Sequence, residues 1–154
     1  MTSFYRALSS QTDLTSYNSG YAILTETGET LELASRQDEK QKFQLQMYFH
    51  CAVTVLKKNP KQAIRGKKVM DLGCGRGGGL AFLAKYLAPE EAIGVDLSNW
   101  QIQFCQHRHQ ELENIKFVEQ DIRSITSNSQ LHNLDLCLAI ESFGRFSNKK
   151  EILA

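Results

Sequence analysis

The chain has 154 residues, 42% hydrophobic and 23% charged, enough for one ordinary globular domain and too few for two. A formal net charge of +1, with its lysines in scattered pairs such as Lys57 and Lys58, argues against a phosphate-tracking surface, and no nucleic-acid partner is expected. Widely spaced cysteines, no secretory signal and no apolar run near the ~18 residues of a membrane helix point to a soluble, cytoplasmic protein, at most peripheral to a membrane.

Residues 1–34 are rich in Ser, Thr and Gly and show no sustained period. Tyr17 and Tyr21 bracket a turn at Asn18, Ser19 and Gly20, so this arm reads as either a loose tail or a lid. Residues 35–154 read as one domain. Ser35 and Asp38 resemble a capping box, and Phe43, Met47, Cys51 and Val55 then recur every four residues until Pro60 ends the pattern. This predicts a long amphipathic helix with Gln44, Gln46 and His50 on its flanks. The stretch 69–79 organises the remainder: an apolar run stops at Asp71 and gives way to Gly73, Gly75, Gly77, Gly78 and Gly79 before a helix resumes at Leu80. A strand turning tightly into a helix is expected there, with backbone able to approach a ligand closely. Pro89 stops that helix. A short strand over Ala92 to Val95 is closed by Asp96, and Ser98 caps a helix with the stripe Ile102, Cys105 and Leu112. Lys116 to Glu119 form a third strand with Asp121 just beyond, and Leu134 to Ile140 a fourth, ending at Glu141 and Ser142. Strands alternating with helices imply an α/β domain with a doubly wound parallel sheet covered on both faces. Cys105, His107 and His109 invite a metal reading, but on a helix His107 points away from the other two. No metal is expected, and the imidazoles read as surface groups.

Ligands of such a sheet bind beyond the carboxyl ends of its strands, where Asp71, Asp96, Asp121 and Glu141 converge. Gly73, Gly75 and Gly78 fit the dinucleotide pattern G-x-G-x-x-G, a weak match by itself. Asp71 decides between cofactors. It would face a pyrophosphate with like charge, whereas S-adenosylmethionine has no phosphate and carries a sulfonium and an ammonium. Opposite charges ~4 Å apart near a protein surface attract by roughly 4 kcal/mol before desolvation. NAD gives Asp96 a role and leaves Asp71 and Asp121 without one.

Residues 69–79, 94–98 and 120–122 and the fourth strand together resemble the successive motifs of class I S-adenosylmethionine-dependent methyltransferases, over residues 66–148. The resemblance implies a Rossmann-type sheet ordered 3-2-1-4. It implies that Asp71 and the backbone of Gly73, Cys74, Gly75 and Gly77 hold the methionine end, and that Asp96 holds the ribose hydroxyls. Leu97 would pack on the adenine, and Asp121 with the Ile122 backbone would read its edge. Residues 75–79, 102–109 and 139–142 are similar to the small-molecule and lipid branch containing sterol, tocopherol and phthiotriol methyltransferases. In that branch, segments similar to residues 17–21 and 43–46 help cover the cofactor. The chain departs from the pattern twice. Arg145 stands where many members carry histidine, and a guanidinium that stays protonated cannot act as a base. The family's sheet also continues for three more strands on the substrate side, so this chain corresponds to the cofactor-binding half, with the C-terminal half incomplete.

The implied activity is methyl transfer to a small, lipophilic acceptor, with Glu141 the one candidate base. Two alternatives belong to other classes: a module that binds S-adenosylmethionine without turnover or is completed by a partner chain, and an NAD-dependent oxidoreductase. A fourth strand lacking a neighbour would expose Leu134, Leu136, Leu138 and Ile140 on an edge that a second copy of the chain could pair with, giving a homodimer.

Overall fold

The computed structural model describes residues 15–16, 18–22, 33–56, 62–127, 133–142 and 144. Tyr17, Arg145 and the lysines at 57, 58, 149 and 150 lie outside these residues.

Ser35 caps a helix as its sequence context suggests, its hydroxyl oxygen accepting the Asp38 backbone N–H at 3.0 Å. The helix it opens, α1 (Arg36–Glu39), lasts one turn, and α2 (Lys42–Leu56) follows. The single long helix expected here is therefore two. The break falls at Gln41, whose backbone N–H bonds back to the Asp38 carbonyl in a three-residue closure of 3.0 Å. Its side chain is only 3% exposed, and its carboxamide oxygen accepts the N–H groups of Thr15 and Ser16, each at 2.8 Å. Among the described residues it is the acceptor that satisfies these two buried backbone donors.

The buried face of α2 also differs from the expected one. Phe43 is 54% exposed, whereas Leu45, Tyr48 and Ala52 are buried. Both sets follow helical spacing, so the period identifies the helix without identifying its inner face. What draws Tyr48 inward is a buried acceptor, Asp71.

The remaining elements are β1 (Lys68–Leu72), α3 (Gly78–Leu87), β2 (Glu91–Asp96), α4 (Asn99–Arg108), β3 (Ile115–Glu119), a 3-10 helix (Ile122–Ser127) and β4 (Leu136–Leu138). All strand pairs are parallel and the order is β3-β2-β1-β4, the order implied by the resemblance. On one face Val69, Ala92, Phe117, Leu136 and Leu138 pack against Leu45 and Tyr48 of α2, Leu80 and Leu83 of α3, and Ile102 and Cys105 of α4. On the other, Met70, Leu72, Ile93 and Val95 gather around Ile122 of the 3-10 helix. Both faces are covered, but the longer helices share one. Two crossovers of the same hand moving in one direction across a sheet keep their helices on the same side, and only the return past β1 to β4 crosses the other side.

Two expectations about side chains need correction. Leu112 lies beyond the end of α4 and packs at the margin of the core, so the helix stripe is Ile102 and Cys105 alone. His109 is not a surface imidazole: it is buried at the end of α4 beside Phe117. β4 is also shorter than expected, and Leu136 and Leu138 are buried, with Cys137 the exposed residue between them.

Candidate cofactor site

The carboxyl end of β1 is where strand order reverses, since β2 lies to one side of it and β4 to the other. Beyond Leu72 the chain turns under the end of β2, with Gly73 and Cys74 both donating their N–H groups to the Val95 carbonyl at 2.8 and 3.0 Å. Gly73 has φ of 77°, and a Cβ there would sit 2.6 Å from the Cβ of Ser142. Ser142 in turn donates its hydroxyl to the Leu72 carbonyl, locking the end of β4 to the end of β1. Gly75 has φ of 56°, and among the described residues no atom lies within 4 Å of where its Cβ would stand. The loop is thus packed on its β4 side and open at Gly75.

Asp71 is fully buried. Its Oδ2 accepts the Tyr48 hydroxyl at 2.8 Å, and its Oδ1 has no hydrogen-bond partner among the described residues. Burial raises its pKa from 3.8 to about 7, Tyr48 opposes that rise, and the nearby Asp96 charge adds to it. A buried carboxylate oxygen left without a donor calls for a cationic or N–H-bearing group.

Asp96 ends β2. Its Oδ2 accepts the Gly75 N–H at 3.0 Å and its Oδ1 the Ser98 N–H at 2.9 Å, so it ties the glycine loop to the start of α4. Each oxygen keeps a further lone pair for a hydroxyl donor. Leu97, the next residue, is 67% exposed, an apolar side chain held out beside that carboxylate. Asp121, beyond β3, is engaged by Arg123, whose Nε lies 3.0 Å from each carboxylate oxygen and whose backbone N–H donates to Oδ1 at 2.9 Å. This clamp holds the Asp121 pKa down at about 2, so the group is ionised throughout the physiological range. Ile122 is buried at the start of the 3-10 helix. Cys74 is buried with its thiol against Cys105; that contact, then burial, raises its pKa well above the ordinary thiol range, so it contributes its backbone and no thiolate.

Glu141 follows β4 with φ of 53° and an exposed side chain. Both of its oxygens lie 3.1 Å from the Ser19 N–H. The described part of the arm, residues 15–16 and 18–22, is tied down at further points: Tyr21 N–H to the Phe43 carbonyl at 2.9 Å, the Asn18 side chain to the Gln44 carbonyl at 3.1 Å, and the Thr15 carbonyl to the Gly78 N–H at 3.1 Å. The Tyr21 ring stacks on His50 with centroids 4.4 Å apart. The arm therefore joins α2, the first turn of α3 and the end of β4.

Asp71, Asp96 and the loop glycines come together as the sequence suggests. Five residues have contacts here that the sequence does not announce: Tyr48, Arg76, His109, Arg123 and Ser142. Arg76 is buried, with its guanidinium 4.6 Å from the Phe104 ring centroid and 5.5 Å from that of Trp100. Its carbonyl accepts His109 Nε2–H at 3.0 Å, and burial first of all lowers the His109 pKa, keeping the ring neutral. The residue pattern after a glycine loop gives no hint of such a buried cation.

The residues fit S-adenosylmethionine on the structure's own terms: a buried carboxylate oxygen without a partner among the described residues just before the glycine loop, an open glycine within that loop, and a second carboxylate bonded to that glycine at the end of the neighbouring strand. The fatty-acid O-methyltransferase of Mycolicibacterium smegmatis is 32% identical over 108 residues, covering 70% of this chain and 36% of that enzyme. The phthiotriol/phenolphthiotriol dimycocerosates methyltransferase 1 of Mycobacterium ulcerans is 30% identical over 125 residues, covering 81% of this chain and 41% of that enzyme. The chain thus spans well under half the length of these curated relatives. Among solved structures, the YcgJ protein of Bacillus subtilis superposes with a TM-score of 0.56 at 19% identity, over 70% of this chain and 43% of that one. The methyltransferase domain of bacterial CtHen1 does so with a TM-score of 0.55 at 23% identity, over 70% and 57% respectively. These likenesses establish the Rossmann-like methyltransferase fold. Residues 64–154 match the family described as methyltransferase domain, more than half of the chain, and the protein belongs to that family.

Proposed function

We propose that the chain binds S-adenosylmethionine and serves methyl transfer to a small, lipophilic acceptor. The observation that carries the cofactor is Asp71: a fully buried carboxylate with one oxygen free of partners among the described residues suits a cation and repels a pyrophosphate. In this reading Asp71 and the backbone of Gly73, Cys74, Gly75 and Gly77 hold the methionine end, Asp96 the ribose hydroxyls, Leu97 the adenine face, and Asp121 with the Ile122 N–H the adenine edge. The Arg123 clamp keeps Asp121 ionised and oriented as an acceptor. When bound, S-adenosylmethionine supplies an electrophilic methyl group on a sulfonium.

The chain's own contribution is to orient, to exclude water and to move a proton. Glu141 is the candidate base for a hydroxyl acceptor, and its hydrogen bond from Ser19 makes its orientation depend on the arm lying in place. A lipophilic acceptor is supported by the fatty-acid and phthiotriol enzymes among the relatives. The far edge of β4, which pairs only with β1 among the described residues, is where further chain or a second copy would complete the acceptor side. All four cysteines are free thiols, which suits a reducing cytoplasm.

A binding module without turnover is the second reading, since the cofactor contacts proposed above lie at the ends of β1, β2 and β3 and need nothing beyond β4. Titration calorimetry with S-adenosylhomocysteine and, separately, NAD tests the cofactor. Binding of the former alone is expected, and binding of NAD alone would overturn the proposal. Transfer of a radiolabelled methyl group to a fatty acid then separates enzyme from module.

A further inference from the structure

We propose that Tyr48 is a positioning residue that, by donating its phenol to Asp71 Oδ2, reserves Asp71 Oδ1 for the ammonium group of the cofactor and couples cofactor binding to release of a proton. This rests on the cofactor reading above and deepens it. Tyr48 is held on two sides. Its hydroxyl lies 2.8 Å from Asp71 Oδ2, and its ring presses on the first turn of α3, where a Cβ on Gly79 would stand 2.1 Å from Tyr48 Cε2. With the ring so fixed, the phenol always meets the same carboxylate oxygen. The other oxygen is buried and has no hydrogen-bond partner among the described residues, on a residue one position before the last of β1, where the glycine loop begins.

Such a carboxylate resists ionising until a cation arrives. Burial takes Asp71 up to about 7, and Tyr48 is the group that limits the rise. The ionisable groups around it are Tyr48 from α2, Asp96 at the end of β2, Cys74 in the loop and Cys137 on β4. Among these the Asp96 charge raises it further. An ammonium group reaching Oδ1 stabilises the ionised form, so binding expels a proton wherever the free protein holds one. Affinity should then fall as the pH drops through the Asp71 midpoint. With a midpoint of about 7, the ionised fraction of the free protein falls from about nine-tenths at pH 8 to about one-tenth at pH 6, a roughly tenfold loss of affinity.

The experiment compares two ligands and two proteins. S-adenosylhomocysteine carries the ammonium and 5′-methylthioadenosine lacks it, while both carry the ribose that Asp96 would hold. Calorimetric dissociation constants are measured between pH 6 and pH 8.5 for the unchanged chain and for Tyr48→Phe, which keeps the ring against Gly79. In parallel, carbon NMR follows the Asp71 carboxyl in both ligand-free proteins. The expected result is a roughly tenfold pH dependence for S-adenosylhomocysteine, little for methylthioadenosine, and a midpoint that moves to higher pH in Tyr48→Phe by both methods. A pH profile shared by the two ligands, or an Asp71 midpoint unmoved in Tyr48→Phe, overturns the proposal alone. Failure of the unchanged chain to bind either ligand at pH 8 overturns the cofactor reading and this proposal with it.

Discussion

Gly75→Ala separates the site from the fold more cleanly than any other single substitution. Gly75 has φ of 56°, so an alanine there takes on the strain of the left-handed region, about 1–2 kcal/mol. Among the described residues nothing lies within 4 Å of the new methyl group, so packing adds no further cost. For a chain of this length that corresponds to a fall of roughly 2–8 °C in Tm. The methyl group would, however, project from the loop that the cofactor reading places against the methionine end. Forcing one extra carbon into a fitted contact costs about 1–3 kcal/mol, or roughly 5- to 150-fold in Kd. Gly66 provides the control. Its φ is 67° and its added Cβ also meets nothing within 4 Å, but it precedes β1, at the end of the strand opposite Gly75. Gly66→Ala should therefore show the same fall in Tm and an unchanged Kd. Thermal unfolding and calorimetry with S-adenosylhomocysteine read the two effects. Equal affinity in the two variants would refute the placement of the cofactor against the glycine loop.

Asp96→Ala removes the acceptor for both the Gly75 and Ser98 N–H groups along with the proposed ribose contact. Hydrogen bonds to a charged group are worth ~1.5–3 kcal/mol each, so calorimetry should show cofactor binding weakened at least about tenfold; an unchanged Kd in the folded variant would reject the ribose assignment. Cofactor closing the arm should slow amide exchange at Ser19 and Tyr21, whose N–H groups bond to Glu141 and Phe43, and equal exchange with and without saturating ligand would make the arm a fixed strap. Asp71→Asn should raise the Tm of the ligand-free protein at pH 8 while abolishing binding. The sign follows from linkage. A carboxyl whose folded pKa lies above its unfolded value binds more protons when folded, so stability falls as pH rises between the two. The rise from 3.8 to about 7, at about 1.4 kcal/mol per pH unit, bounds the gain at about 4 kcal/mol. A Tm unaffected by the substitution at both pH 5 and pH 8 would contradict the buried-charge account.

The sheet and the glycine loop were legible because their signals are local. An apolar run ended by an acid and glycines dictates a strand and a tight turn, whatever surrounds it, and the acids at 71, 96 and 121 mark three strand ends. What depends on contacts between distant residues was not legible. The inner face of α2 is ambiguous in the sequence because Phe43 and Leu45 are equally apolar, and the position of Asp71, 23 residues on from Tyr48, selects the face that carries the tyrosine. The break at Gln41 answers two N–H groups 25 and 26 residues earlier. The burial of His109 depends on the Arg76 carbonyl 33 residues away. Periodicity sees none of these, since it records which residues could lie on one face and carries no information about what the face meets.

Asp71 shows why such a site need not favour the fold that carries it. It lies in β1 between Gly94 of β2 and Leu138 of β4, a position from which water is excluded and where an apolar residue would serve the sheet better. Instead the ligand-free chain holds a carboxyl with one oxygen satisfied by Tyr48 and the other by nothing among the described residues. Any cation that reaches Oδ1 recovers this cost, so part of the cofactor's affinity is stored beforehand as instability of the free protein. The same reasoning explains the anchored tyrosine: without a donor fixed on Oδ2, both oxygens would be orphaned, and the carboxyl would sit neutral through a wider pH range, unable to attract the ligand's charge.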